Sequence, residues 1–64
     1  MIYLGDGFYY ALISKEYDVK AVYDSNNKRF RIIKKDAIIE ICTNVSKRTF
    51  KARVKAMKMK APAT

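Results

Sequence analysis

Six carboxylates and one thiol are the first candidates for acid–base or covalent chemistry in this 64-residue chain, and no histidine is present to assist them. The missing histidine excludes Ser-His-Asp and Cys-His nucleophiles, imidazole bases and zinc-finger ligand sets. The carboxylates are Asp6, Glu16, Asp18, Asp24, Asp36 and Glu40. Glu16 and Asp18 would share a strand face at i and i+2, a spacing open to an acid–base pair. A solvated edge beside a turn accounts for them more simply. Cys42 would be a nucleophile only if neighbouring lysines lowered its pKa. It lies inside an apolar run, where a buried, inert thiol is expected. Gly5 and Gly7 are the only glycines and no GK[ST] follows them, so there is no phosphate-cradling loop. The carboxylates do not cluster as an oxygen-donor metal site would require. The expectation is a non-enzymatic protein with no cofactor and no metal.

The cationic residues carry the stronger signal. Fourteen Lys and Arg against six Asp and Glu give a net charge of +8. Residues 1–27 sum to −2 and residues 28–64 to +10, so an anionic partner is expected on the second half. Nucleic acid is the leading partner, because neutralised phosphates release condensed counterions. An acidic protein surface or an anionic membrane would satisfy the same arithmetic, and so would a charged face that merely keeps a small protein dispersed. The expected contact residues are Lys28, Arg29, Arg31, Lys34, Lys35, Lys47, Arg48, Lys51, Arg53 and Lys55. On strands, Arg29 and Arg31 point one way, and so do Lys51, Arg53 and Lys55. Alternate strand residues lie about 6.8 Å apart, close to two phosphate steps of about 3.4 Å each. If the last segment is a helix instead, Lys47, Lys51, Lys55 and Lys58 form a basic stripe at i, i+4, i+8 and i+11. Ten lysines to four arginines favour backbone contact over base reading. Tyr9, on the strand face opposite the expected core, is a candidate stacking platform or interface anchor. Asn26 and Asn27, at a loop tip beside Arg29, are candidates for a base contact, although making the turn is their commoner use.

These side chains need short elements to hold them. Gly5-Asp6-Gly7 reads as a turn between Ile2–Leu4 and the strand Phe8–Ser14. That strand is apolar on both faces, as a central strand would be. Tyr17–Asp24 and Lys28–Lys34 alternate around Ser25-Asn26-Asn27 and read as a hairpin, with asparagine suited to left-handed backbone. Ala37–Thr43 is expected to be a strand, given its three isoleucines, in preference to a helix capped by Asp36. Thr49–Ala56 fits both periods. A strand is preferred there, because Lys47 and Arg48 in a first helical turn would oppose the dipole. A helix would use Ser46 as N-cap and Phe50, Val54, Met57 and Ala61, at i, i+4, i+7 and i+11, as its apolar face. Phe8, Tyr10, Tyr17, Tyr23, Phe30 and Phe50 are the expected core aromatics.

The expected architecture is all-β within residues 1–60: a five- or six-stranded antiparallel barrel or twisted sheet, SH3-like or OB-like in size. The alternative is α+β, a meander followed by a basic C-terminal helix. Residues 61–64 are expected to fray beyond Pro62. No apolar run approaches the roughly 18 residues of a membrane helix, and no signal peptide is evident. One cysteine permits no internal disulfide. A small domain with a thin core makes a homodimer plausible. The functional expectation is a basic nucleic-acid-binding protein, contacting mainly phosphates in DNA compaction, transcription regulation or RNA binding. It is expected in the cytoplasm or on the nucleoid, or in a host's cytoplasm if viral. The alternative is a small inhibitor or adaptor docking on an acidic surface of a nucleic-acid-processing enzyme.

Overall fold

A computed structural model describes residues 1–60; the frayed tail expected at 61–64 lies outside them. Five antiparallel strands follow one another across one sheet: β1 (Ile2–Gly5), β2 (Phe8–Ser14), β3 (Val19–Asp24), β4 (Arg29–Lys34) and β5 (Ala37–Cys42). A helix, α1 (Lys47–Lys60), closes the order. The expected strand number and antiparallel pairing hold. The sheet is open, with β1 and β5 as its edges, so it is a twisted sheet and not a barrel. The α+β alternative, a meander with a basic C-terminal helix, therefore describes the molecule.

The turns follow from their residues. Asp6 and Gly7 both have positive φ, 54° and 87°, as the two-residue hairpin turn between β1 and β2 requires. Lys35 and Asp36 do the same between β4 and β5, at 49° and 64°; Asp36 is thus a turn residue and caps no helix. In the β3–β4 turn the left-handed residue is Lys28, φ 51°, where asparagine was expected. Asn26 and Asn27 serve that turn through their side chains. Tyr17 and Asp18, expected in β3, belong to the β2–β3 turn, where the Tyr17 N–H donates to Ser14 Oγ at 3.1 Å. The Glu16–Asp18 strand pair is thereby dissolved.

Thr49–Ala56 is helical, contrary to the strand preference. Ser46 caps the helix: its hydroxyl accepts from the Thr49 N–H at 3.2 Å, and its carbonyl from the Phe50 N–H at 2.9 Å. The objection from the dipole is met locally, because Lys47 places its ammonium 4.3 Å from the centre of the Tyr9 ring. Phe50 and Val54 are buried against one face of the sheet, with Met57 packed beside them. That face supplies Ala11, Ala21, Tyr23, Phe30 and Ile32 to the core. Tyr23 and Phe50 stack at 5.0 Å, and the Tyr23 hydroxyl donates to the Val45 carbonyl at 2.6 Å, anchoring the chain before α1.

The register makes Tyr9 a correction. Tyr9 pairs with Tyr23, and Tyr23 with Phe30, so all three lie on the helix-bearing face. Tyr9 packs against the core, with Tyr3 4.9 Å away on its other side. Phe8 and Tyr10, expected in the core, are half-buried on the opposite face. Both faces of FYYALIS are apolar, so alternation alone cannot say which one turns inward.

Candidate nucleic-acid interface and the opposite face

Because Thr49–Ala56 is helical, Lys51, Arg53 and Lys55 do not share a face. At about 100° per residue, Lys47, Arg48, Lys51, Lys55 and Lys58 fall within an arc of about 100°, alongside the stripe that buries Phe50, Val54 and Met57. Lys47 to Lys58 spans about 16 Å along the axis at 1.5 Å per residue. The stripe looks toward the β1 side of the sheet. Lys47 rests on Tyr9 of β2, and Lys51, Lys55 and Lys58 border an apolar cleft of about 410 Å³ with Met1, Val54 and Met59. No acidic residue occurs anywhere in α1.

Arg53 lies on the other flank of the helix and is engaged. Its guanidinium donates to both Glu40 oxygens, at 2.9 and 2.8 Å. Glu40 also accepts from the Cys42 thiol at 3.2 Å. That hydrogen bond and partial burial raise the Cys42 pKa above the usual thiol value, outweighing the opposing field of Arg53. Cys42 is half-buried and held as the thiol, the form that does not attack electrophiles. The Glu40–Arg53 tie, which fastens α1 to β5, left no sequence signal, since the two residues stand 13 apart.

Arg29 and Arg31 do point one way, as expected, but toward the face opposite α1: each flanks Phe30, which is buried beneath the helix. The two halves of the predicted basic surface are thus on opposite sides of the sheet. Lys28, Lys34 and Lys35 are exposed at the strand ends and turns. Asn26 and Asn27 are committed to structure: Asn26 Nδ2 donates to the Asp6 carbonyl at 2.8 Å and Asn27 Nδ2 to Asp24 Oδ2 at 2.6 Å. Asp24 further accepts from the Asn26 and Asn27 N–H groups, at 3.0 and 3.3 Å. The Asn27 side-chain hydrogen bond is the largest influence holding the Asp24 carboxyl below its ordinary value, with the backbone bonds and nearby Arg29 assisting against the desolvation of this buried group.

The face bearing Arg29 and Arg31 has its own composition. Paired across it are Ile2, Tyr10, Val22, Arg31 and Ile41 in one row, and Leu12, Lys20, Ile33 and Ile38 in the next. Sequence reasoning missed this face, because it assigned Phe8, Tyr10 and their neighbours to the core.

Fold and sites together define a class: an α+β meander with a cationic helix on one face of its sheet and an apolar, arginine-bearing surface on the other. No family model, curated protein or solved structure matches the chain. No helix among the described residues is long and apolar enough to cross a membrane.

Proposed function

We propose that this protein is a small, non-enzymatic nucleic-acid-binding protein that grips the phosphate backbone with α1. One observation carries the reading: Lys47, Arg48, Lys51, Lys55 and Lys58 fall on a single arc of a helix that contains no acidic residue. A continuous cationic stripe about 16 Å long suits a polyanion better than a single anion. The preponderance of lysine gives point-charge contact with little base preference. Arg53 is left out of the contact set, because Glu40 neutralises it, and Arg29 and Arg31 are left out because they face away. Such a protein works in the cytoplasm or on the nucleoid, a host's if the chain is viral.

The test is fluorescence anisotropy against duplex DNA, single-stranded DNA and RNA at several salt concentrations. Binding should weaken steeply with salt. Replacing Lys51, Lys55 and Lys58 together by glutamine should reduce the log–log salt slope by about 2.7 for duplex DNA or about 2.1 for a single strand, at about 0.9 or 0.7 per phosphate contact. Replacing Arg29 and Arg31 should leave the slope unchanged. No binding to any of the three polymers at low salt would defeat the proposal and assign the stripe to an acidic protein surface.

A further inference from the structure

The sheet buries one face under α1 and leaves the other without a cover. On the uncovered face Ile2 is 60%, Ile41 59%, Ile38 51% and Leu12 43% exposed. Five strands at about 4.8 Å spacing make this face about 19 Å wide, enough for an α-helix of about 10 Å diameter. Exposed aliphatic side chains gathered on one sheet face, interrupted only by Lys20 and Arg31, mark an interaction site on so small a protein.

Its charges indicate what fits. Lys20, Arg29 and Arg31 are the face's cations. Asp24, in the same row as Arg29, spends its carboxylate on its own turn. Asp24 feels the field of Arg29, but its oxygens are directed to Asn26 and Asn27; neither Arg29 nor Arg31 is held by a close ion pair of the kind that ties Arg53 to Glu40. Arg31 is half-buried between Val22 and Ile41 in its row. A second copy of the chain would set cations against cations with no carboxylate to receive them, an unfavourable juxtaposition. Nucleic acid would want protruding rings. Here the aromatics Phe8 and Tyr10 are half-buried, and the protruding side chains are aliphatic. Arg29 and Arg31, with Ile38 and Ile41, line an open hollow of about 170 Å³, the size of one apolar side chain. The covered face shows what this sheet accepts: a helix inserting Phe50, Val54 and Met57, tied at its flank by an Arg–Glu pair.

We infer that the uncovered face is a docking surface for a protein partner that presents an amphipathic helix, its apolar stripe bordered by carboxylates that meet Arg29 and Arg31. The protein would then hold nucleic acid on one side and a protein on the other. The probe is a synthetic, fluorescent amphipathic helix of about 18 residues (five turns), with leucine at i, i+3, i+4 and i+7 and glutamate on both flanks. A control peptide carries lysine in place of glutamate.

The acidic peptide should bind in the micromolar range, at least about tenfold more tightly than the lysine peptide, because opposite charge both steers and registers the contact. Amide shifts should map to Leu12, Ile38 and Ile41. Arg31→Glu should weaken binding about tenfold, a loss of about 1.4 kcal/mol, and Ile41→Ser, on an edge strand, should weaken it too. Lys51→Gln with Lys55→Gln, which lowers the net charge by two, should weaken peptide binding by less than about twofold, through long-range steering alone. Circular dichroism checks that each variant is folded. Four results would overturn the inference: shifts confined to α1, equal binding of both peptides, self-association that buries this face, or Arg31-dependent binding to phosphatidylserine vesicles with none to the peptide.

Discussion

Asp24 shows how one carboxylate can govern a hairpin. It gathers two backbone N–H groups and one side-chain amide, and these bonds favour the ionised form. Its pKa therefore falls below the ordinary 3.8. A carboxyl with a depressed folded-state pKa stabilises the fold at and above its unfolded value and loses that contribution as pH falls through the folded one. Asp24→Asn should thus lower Tm by a constant amount from neutral pH down to about pH 5. The gap to the parent should close below the ordinary carboxylate range, as thermal melts across pH will show. Cys42 gives a second prediction at this scale. Its thiol is held protonated first by the hydrogen bond to Glu40 and then by burial. Glu40→Gln removes the charge that favours the proton and should speed iodoacetamide labelling at pH 8. Parallel labelling in denaturant corrects for reagent differences. Equal rates in parent and variant would mean that Glu40 does not set the thiol's pKa.

α1 and the strands differ in how much of them could be read from residue order. The turns at Asp6-Gly7 and Ser25-Asn26-Asn27 and the alternation of β3 and β4 were legible, because glycine, asparagine and period-two apolar residues act locally. The fate of Thr49–Ala56 was not. Its apolar and basic residues satisfy both periods, and the deciding contacts are Ser46 with Thr49, Lys47 with Tyr9, and Phe50 with Tyr23. The last two are tertiary. The inward face of β2 was hidden for the same reason: the helix chooses it. Of the basic surface, the charges were legible, but their division between two sides of the sheet depended on that choice. If the Ser46 cap is decisive, Ser46→Ala should cost about 1 kcal/mol, a fall in Tm of about 4–8 °C for a domain near this size. Ser46→Asp should restore most of it, since aspartate also caps and suits the positive end of the dipole. A melt in which alanine and aspartate behave alike would remove the cap from the account of why this segment is a helix.

Taken as a whole, the molecule keeps its charge and its core in tension. The +8 net charge is concentrated in the chain's second half, and the α1 stripe crowds cations that repel one another within a Debye length of about 10 Å. Among its described side chains the helix buries Phe50 and Val54, with Met57 in part, so this repulsion acts on a lightly anchored element. Two consequences are measurable together. Without ligand, the Lys51→Gln, Lys55→Gln, Lys58→Gln variant should melt higher than the parent at low salt, and the two should converge as added salt screens the stripe. If α1 binds a polyanion as proposed, single-stranded DNA at about a hundred times its Kd should stabilise the parent by about 2.7 kcal/mol through linkage, which corresponds to about 10–20 °C in Tm. The variant, lacking three of the proposed contacts, should gain little. If the variant is less stable at low salt, the lysines hold the helix through their stems and not against their charges. If both proteins gain equally, the polyanion sits elsewhere than on α1, and the phosphate contacts must be sought among Lys28, Lys34 and Lys35 at the strand ends.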